Sequence, residues 1–301
     1  MFYALRQRLN YQWFNFRNHA VFNTPKLICD PNGPVVITQL CRRDLVIYLI
    51  AIKSFGQRIR PSHVYALDDG SLTADDRVML QEHVPDLIFL DLENYRSPFT
   101  PIGGTWERLM AVTELCQNHY VVQLDSDTLT LGNVSEVHDC IQNGTSFVIS
   151  VKDNQEIHFM PEAVSTARGH LKESNGIQPI SEANFDQLLN HETLKYARGC
   201  SGFSGFAKGA TSRAFIEDLS RQMHQAVGER WSEWGTEQVT SNIAIANSPK
   251  AIMLPHPKYA NCQCIHDGVT QFIHFIGYCR FKGGVYSQLA SAASASLNAK
   301  S

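Results

Sequence analysis

Two carboxylates, Asp125 and Asp127, stand two positions apart directly after the apolar run Tyr120-Val121-Val122-Gln123-Leu124. Side chains at i and i+2 of an extended chain point the same way. Two carboxylates on one side repel each other and resist desolvation unless a cation sits between them or water covers them. Hard oxygen ligands suit Mg²⁺ or Mn²⁺, ions that commonly hold a diphosphate. Asp125-Ser126-Asp127 therefore reads as a metal grip, against the plainer alternative of a solvated turn after a strand. A second acidic pair, Asp68-Asp69, ends the run Val64-Tyr65-Ala66-Leu67. It suits hydrogen bonds from a base or ribose, or the capping of the next helix.

The elements that must position these groups follow from the pattern of apolar residues. Val35-Val36-Ile37-Thr38 is a short buried strand, and Leu45, Tyr48, Leu49, Ile52 and Phe55 mark a helix ending at Gly56. After the second strand at 64–67, Thr73 with Asp76 three residues on resembles a capping box opening a helix through Leu80. Leu87-Ile88-Phe89-Leu90 is a third strand, residues 106–116 a helix, and the fourth strand delivers Asp125. The alternation predicts an α/β fold, a mostly parallel central sheet flanked by helices in a Rossmann-like arrangement. Ligands of such sheets bind beyond the carboxyl ends of the strands, where Asp68, Asp69, Asp125 and Asp127 lie. Thr38 and Gln39 are candidate nucleotide contacts on position alone. Further on, residues 158–190 read as a polar excursion or lid, and residues 286–301 as a disordered tail.

The chain has 301 residues, 44% hydrophobic and 18% charged, with a formal net charge of -3. This is globular composition, and nothing in it points to nucleic acid. No apolar run is long enough to cross a bilayer, and the first residues lack the features of a secretory signal. Eight scattered cysteines predict reduced thiols in a cytoplasmic protein. Cys262-Gln263-Cys264 with His266 is the lesser zinc alternative, its spacing being Cys-x-Cys with no second pair. Residues 1–22 are basic and aromatic. Peripheral contact with an anionic membrane at its inner face is one reading. Packing on the rest of the chain is preferred, because the apolar residues do not make one clean face.

The segment from Tyr120 to Asn133 around Asp125-Ser126-Asp127 resembles the metal-binding segment of glycosyltransferases with the A-type fold, family 8 and its relatives above all. Three further segments fall in that family's order. Trp106-Glu107-Arg108-Leu109 resembles its aromatic-x-Arg-Leu helix, and Cys200-Ser201-Gly202 occupies the place of its Asn-Ser-Gly turn. His274-Phe275-Ile276-Gly277-Tyr278-Cys279-Arg280 resembles its His-Phe-x-Gly-x-x-Lys signature, with arginine in the lysine's place. The resemblance covers roughly residues 35–285. It departs at Phe281-Lys282, where Pro-Trp is usual, and at Asp68-Asp69-Gly70-Ser71, which is closer to inverting family 2 enzymes of the same fold.

The resemblance implies roles. Asp125, Asp127 and His274 would hold Mn²⁺ or Mg²⁺, an imidazole favouring Mn²⁺. Gly277 and Arg280 would meet the donor phosphates, Arg280 as a bidentate clamp. Arg108 would neutralise the acidic crevice or touch the nucleotide, unless it makes an ordinary salt bridge. Asp69 would bind the nucleotide. Glu237-Gln238 resembles the family's Asp-Gln element near the reacting sugar, and Trp231 and Trp234 are either sugar-stacking faces or core anchors. The expected protein is a metal-dependent glycosyltransferase moving a hexose from a UDP-sugar, with retention, to a hydroxyl acceptor that is a glycan, a lipid-linked molecule or a small molecule. Residues 35–130 would bind the nucleotide and residues 131–285 the donor sugar and acceptor, in one domain preceded by the segment 1–34. A nucleotidyltransferase should carry a glycine-rich phosphate loop after its first strand, and Leu40-Cys41-Arg42-Arg43 has none. A non-catalytic sugar-nucleotide-binding domain is the other alternative.

Overall fold

The computed structural model describes residues 2–171, 175–277 and 279–299. The strands of one part of the chain run in the order Val35–Leu40, His63–Asp68, Ile88–Asp91, and those of the other in the order Ala251–Leu254, Ser146–Ser150, Gly199–Phe206, Val121–Leu124. The chain divides into two compact units. One comprises Met1–Asp91, Leu124–Ser135 and Pro257–Ser301, the other Leu92–Gln123 and Glu136–His256.

In the first unit Val35–Leu40 pairs in parallel with His63–Asp68, which pairs in parallel with Ile88–Asp91. Val35, Val36, Ile37 and Leu40 are fully buried, as expected of a strand covered on both faces. The helix Leu45–Gly56 is apolar but for Lys53 and Ser54, and buried from Val46 onward. It packs against the strand Thr128–Thr130 and the helix Val285–Asn298. Thr73 and Asp76 form the reciprocal capping box that opens Ala74–His83. A small three-stranded sheet sets Phe272–His274 antiparallel to Thr128–Thr130 and parallel to Tyr259–Asn261.

The second unit builds on Ser146–Ser150, buried throughout, parallel to Ala251–Leu254 and antiparallel to Gly199–Phe206. Gly205 is required there: a Cβ would lie 2.3 Å from the Phe147 ring and 2.6 Å from the Tyr120 hydroxyl. The helix Thr236–Ala246 packs on all three of these strands. Trp231 is a core anchor, its indole donating to Ser220 Oγ at 2.9 Å and meeting Trp106 edge-on.

Four expectations are corrected. Residues 158–190, expected as a polar excursion or lid, are not irregular throughout but carry the helices Met160–His170 and Ile177–Ala183, with Met160, Val164 and Ala167 buried at helical spacing. Cys200-Ser201-Gly202 is not a turn but part of the strand Gly199–Phe206. The supposed disordered tail forms the helix Val285–Asn298, because alanine favours helix and Tyr286, Ala290 and Ala293 supply a buried face. The thiols are not all reduced: Cys262 and Cys279 form a disulfide, which removes Cys262 from any zinc site. Among the described residues no helix is long and apolar enough to cross a membrane.

Candidate metal and nucleotide site

Asp127 and His274 meet because of strand register. Thr128 stands opposite His274 in the antiparallel pair, and the Phe275 amide donates to the Asp127 carbonyl at 2.8 Å. The turn that presents both acids is tied by the Thr128 hydroxyl and amide, which donate to the Asp125 carbonyl. The strand before it is anchored by Thr38 Oγ1, which donates to the Leu124 carbonyl at 2.7 Å. Thr38 is fully buried and fixes this strand.

His274 Nε2 lies 3.2 Å from Asp127 Oδ1 and 3.4 Å from Asp125 Oδ2. One ligand atom from each of the three falls within 4.8 Å of the others. Neighbouring ligands of an octahedral ion with bonds near 2.1 Å stand about 3 Å apart, so the trio fits a divalent cation of this size.

Arg280 completes the centre. Its Nη2 pairs with Asp127 Oδ2, its Nη1 donates to the Tyr11 hydroxyl, and its Nε donates to the Phe275 carbonyl at 3.2 Å. Burial alone would push the Asp127 carboxyl upward, but His274 and Arg280 together hold it below the usual carboxylate range. Arg280 is raised further despite its burial, because Asp127, Tyr11 and Asp44 all favour its charge. Burial, then Asp44, pushes the Tyr11 phenol up to about 12. Tyr11 and Asp44 were not anticipated at this centre. Tyr11 arrives on the helix Phe2–Arg17, and no local pattern links residue 11 to residue 280. Gly277 is exposed, and a Cβ there would meet no protein atom, so packing does not demand glycine at this position. Tyr278, the next residue of the motif, lies outside the described residues.

The other candidates of the first unit are occupied differently. Asp69 is exposed and accepts from the Ser71 amide and hydroxyl. Asp68 is buried, accepts from the Gly70 amide at 2.8 Å and pairs with Arg77. Gln39 is half-buried beside them on the first strand.

The Cys262–Cys279 disulfide brackets His274 and abuts Arg280, closing a loop with a sequence separation of 17. The pairing of Tyr259–Asn261 with Phe272–His274 brings Cys262 there, its amide donating to the His274 carbonyl at 3.0 Å. An oxidising compartment keeps such a bond closed and a reducing cytoplasm opens it. Cys262→Ser is expected to lower stability by about 3 kcal/mol. It is also expected to weaken Mn²⁺ by roughly tenfold through a looser ligand segment. Thermal melting and Mn²⁺ titration with and without reductant check both effects; unchanged metal affinity would show that His274 is held by strand pairing alone.

In the second unit Glu237 is buried, and its Oε2 accepts from Thr105 Oγ1 at 2.9 Å and Ser201 Oγ at 3.2 Å. Gln238 accepts from the Ser201 amide at 3.3 Å and donates to Gln178. Gln178 donates in turn to Glu182, which also accepts from the Tyr196 hydroxyl. Gly103, Gly104 and Thr105 are successive residues with φ of 83°, 57° and 73°, a left-handed run held at its ends by the carboxylates of Glu107 and Glu237. A threonine in that region is strained, a feature that concentrates at functional sites. Arg108 is buried on the following helix, so it is not a surface arginine. Trp234, by contrast with Trp231, is 83% exposed.

No protein-family model and no curated protein matches the chain. Solved structures do. An active-site mutant of LgtC superposes with a TM-score of 0.51 at 10% identity, over 86% of this chain and 95% of that one. Mouse xyloside xylosyltransferase 1, apo form, gives 0.46 at 12% identity, over 82% and 98%. Core-mannan synthase A from Aspergillus fumigatus, in a Mn/GDP form, gives 0.43 at 12% identity, over 91% and 90%. The first of these shows a shared fold, the mixed α/β architecture described above.

Proposed function

We propose that the protein is a metal-dependent glycosyltransferase that moves a hexose from a UDP-sugar to a hydroxyl acceptor. The observation that carries this reading is the convergence of Asp125, Asp127 and His274 within 4.8 Å, with Arg280 on Asp127. Retention, and kinship with family 8, rest on the motif resemblance.

Asp125, Asp127 and His274 would hold Mn²⁺. When bound, the ion supplies Lewis-acid stabilisation of the charge that builds on the leaving nucleoside diphosphate. Arg280 adds a second, always-protonated cation for the same charge, and Tyr11 holds its guanidinium plane. Glycine at 277 leaves the backbone open to a phosphate. Ser126, Gln39, Asp69 and Arg108 remain candidates for the nucleotide. Glu237 and Gln238 are proposed to face the oxocarbenium-like sugar, where a fixed carboxylate is worth most. The exposed Trp234 indole offers a stacking face for a sugar.

Calorimetric titration with UDP, in Mn²⁺ and in chelator, followed by donor hydrolysis over a panel of nucleotide sugars, tests the reading. UDP should bind only with Mn²⁺, and a UDP-hexose should be the donor hydrolysed fastest. Nucleotide binding indifferent to metal would contradict the site, and binding without turnover over the whole panel would make this a binding module.

A further inference from the structure

The helix Phe2–Arg17 has two apolar faces. Its inward face packs Phe14 against Phe281 and Tyr286, at centroid distances of 5.9 and 4.6 Å, and carries Tyr11 to Arg280. Its outward face leaves Leu5 54%, Leu9 55%, Trp13 59% and Phe16 76% exposed. At 100° per residue these four fall within an arc of about 80°. The two faces oppose each other, which is why the sequence shows no single clean stripe.

We propose that this outward face docks the protein on an anionic lipid bilayer. Arg8 flanks the apolar arc on one side, Arg6 and Arg17 on the other, and all three are exposed. The Arg17 guanidinium lies 5.8 Å from the centre of the Trp13 ring. No Asp or Glu occurs before Asp30, although the whole chain carries a formal charge of -3. An apolar stripe with a tryptophan, rimmed by arginines on both sides, matches the boundary between acyl chains and anionic headgroups. The local positive charge on a net-negative chain orients the encounter. A second copy fits less well, since it would bring an equally cationic face. The surface is also a convex helix, not a groove shaped for a folded partner. A helix is about 10–12 Å across, so docking holds Tyr11 and Arg280 one helix width from the headgroups. If the proposed function holds, an acceptor carried on a lipid is then the class best placed to react.

The test is sedimentation of the full chain with phosphatidylcholine vesicles that contain or lack phosphatidylglycerol. Binding is expected with phosphatidylglycerol, with weakening at high salt. Trp13→Ser with Phe16→Ser should weaken it at least about tenfold. Arg6→Gln and Arg8→Gln should each weaken it about fivefold. Brominated acyl chains should quench fluorescence in the parent that is missing in the Trp13→Ser protein. Failure of the parent to bind, or equal binding by parent and variants, overturns the proposal. So does a concentration-dependent dimer by light scattering that the Trp13→Ser, Phe16→Ser protein loses, without vesicle binding. UDP and Mn²⁺ affinities measured without vesicles should match the parent in every variant, so a failure of docking and a failure of the donor assignment are read separately.

Discussion

Asp127→Asn is expected to abolish Mn²⁺-dependent UDP binding and to lower turnover by roughly a thousandfold. Asp127 is 5% exposed and touches both other parts of the centre, His274 Nε2 and the Arg280 guanidinium. Asparagine keeps the volume but removes the charge that a divalent cation needs. The same change leaves the half-buried Arg280 without its closest counter-charge, and breaking a pair buried on one side costs up to about 3 kcal/mol. Melting temperature alone would therefore not separate a metal ligand from a structural ion pair. Ligand-dependent stabilisation does. With UDP at about a hundred times its dissociation constant in saturating Mn²⁺, the parent should gain about 2.7 kcal/mol over Mn²⁺ alone and the variant nothing. A variant that melts early yet is stabilised as much as the parent would reduce Asp127 to a partner of Arg280.

The second large effect is expected at Glu237. Glu237→Gln should lower turnover at least about a hundredfold while donor affinity changes by less than about threefold. The carboxylate is buried and accepts from Thr105 and Ser201 on one oxygen, Oε2, and an amide oxygen in the same place can still accept from both. Stability should therefore shift little, and the lost quantity is negative charge. If the group faces the sugar as it gains positive charge, that loss appears in turnover and not in binding. Steady-state kinetics with the donor found in the panel makes the comparison. Unchanged turnover would leave Glu237 as the anchor of the strained loop at Gly103, Gly104 and Thr105, with no chemical part.

The frame around the centre was legible in the sequence where local physics decides structure. Val35–Leu40, His63–Asp68 and Ile88–Asp91 are apolar runs bounded by polar turns, and the Thr73–Asp76 box is a local hydrogen-bond pattern. Asp125 and Asp127 stood out because their spacing has a chemical meaning on an extended chain. His274 required the family likeness, since a histidine in an apolar strand has no intrinsic mark of a ligand. Other features depend on tertiary packing. Tyr11 and Asp44 reach Arg280 only through the way the N-terminal helix and the helix from Leu45 pack, which no periodicity encodes. The Cys262–Cys279 bond follows from the pairing of two short strands, so cysteine spacing could not announce it. The helix Met160–His170 did carry a signal, Met160, Val164 and Ala167 at i, i+4 and i+7, that glycine and proline nearby obscured. In the last helix the buried face is mostly alanine and serine, too weakly apolar to stand out from a polar tail.

One measurement reaches the central claim without passing through activity: an anomalous-scattering map of crystals grown with Mn²⁺ and UDP. The account predicts a single manganese peak within about 2.0–2.3 Å of an oxygen of Asp125, an oxygen of Asp127 and Nε2 of His274, shared with the diphosphate. Manganese bound elsewhere, or UDP bound with no ion among these three side chains, would contradict it.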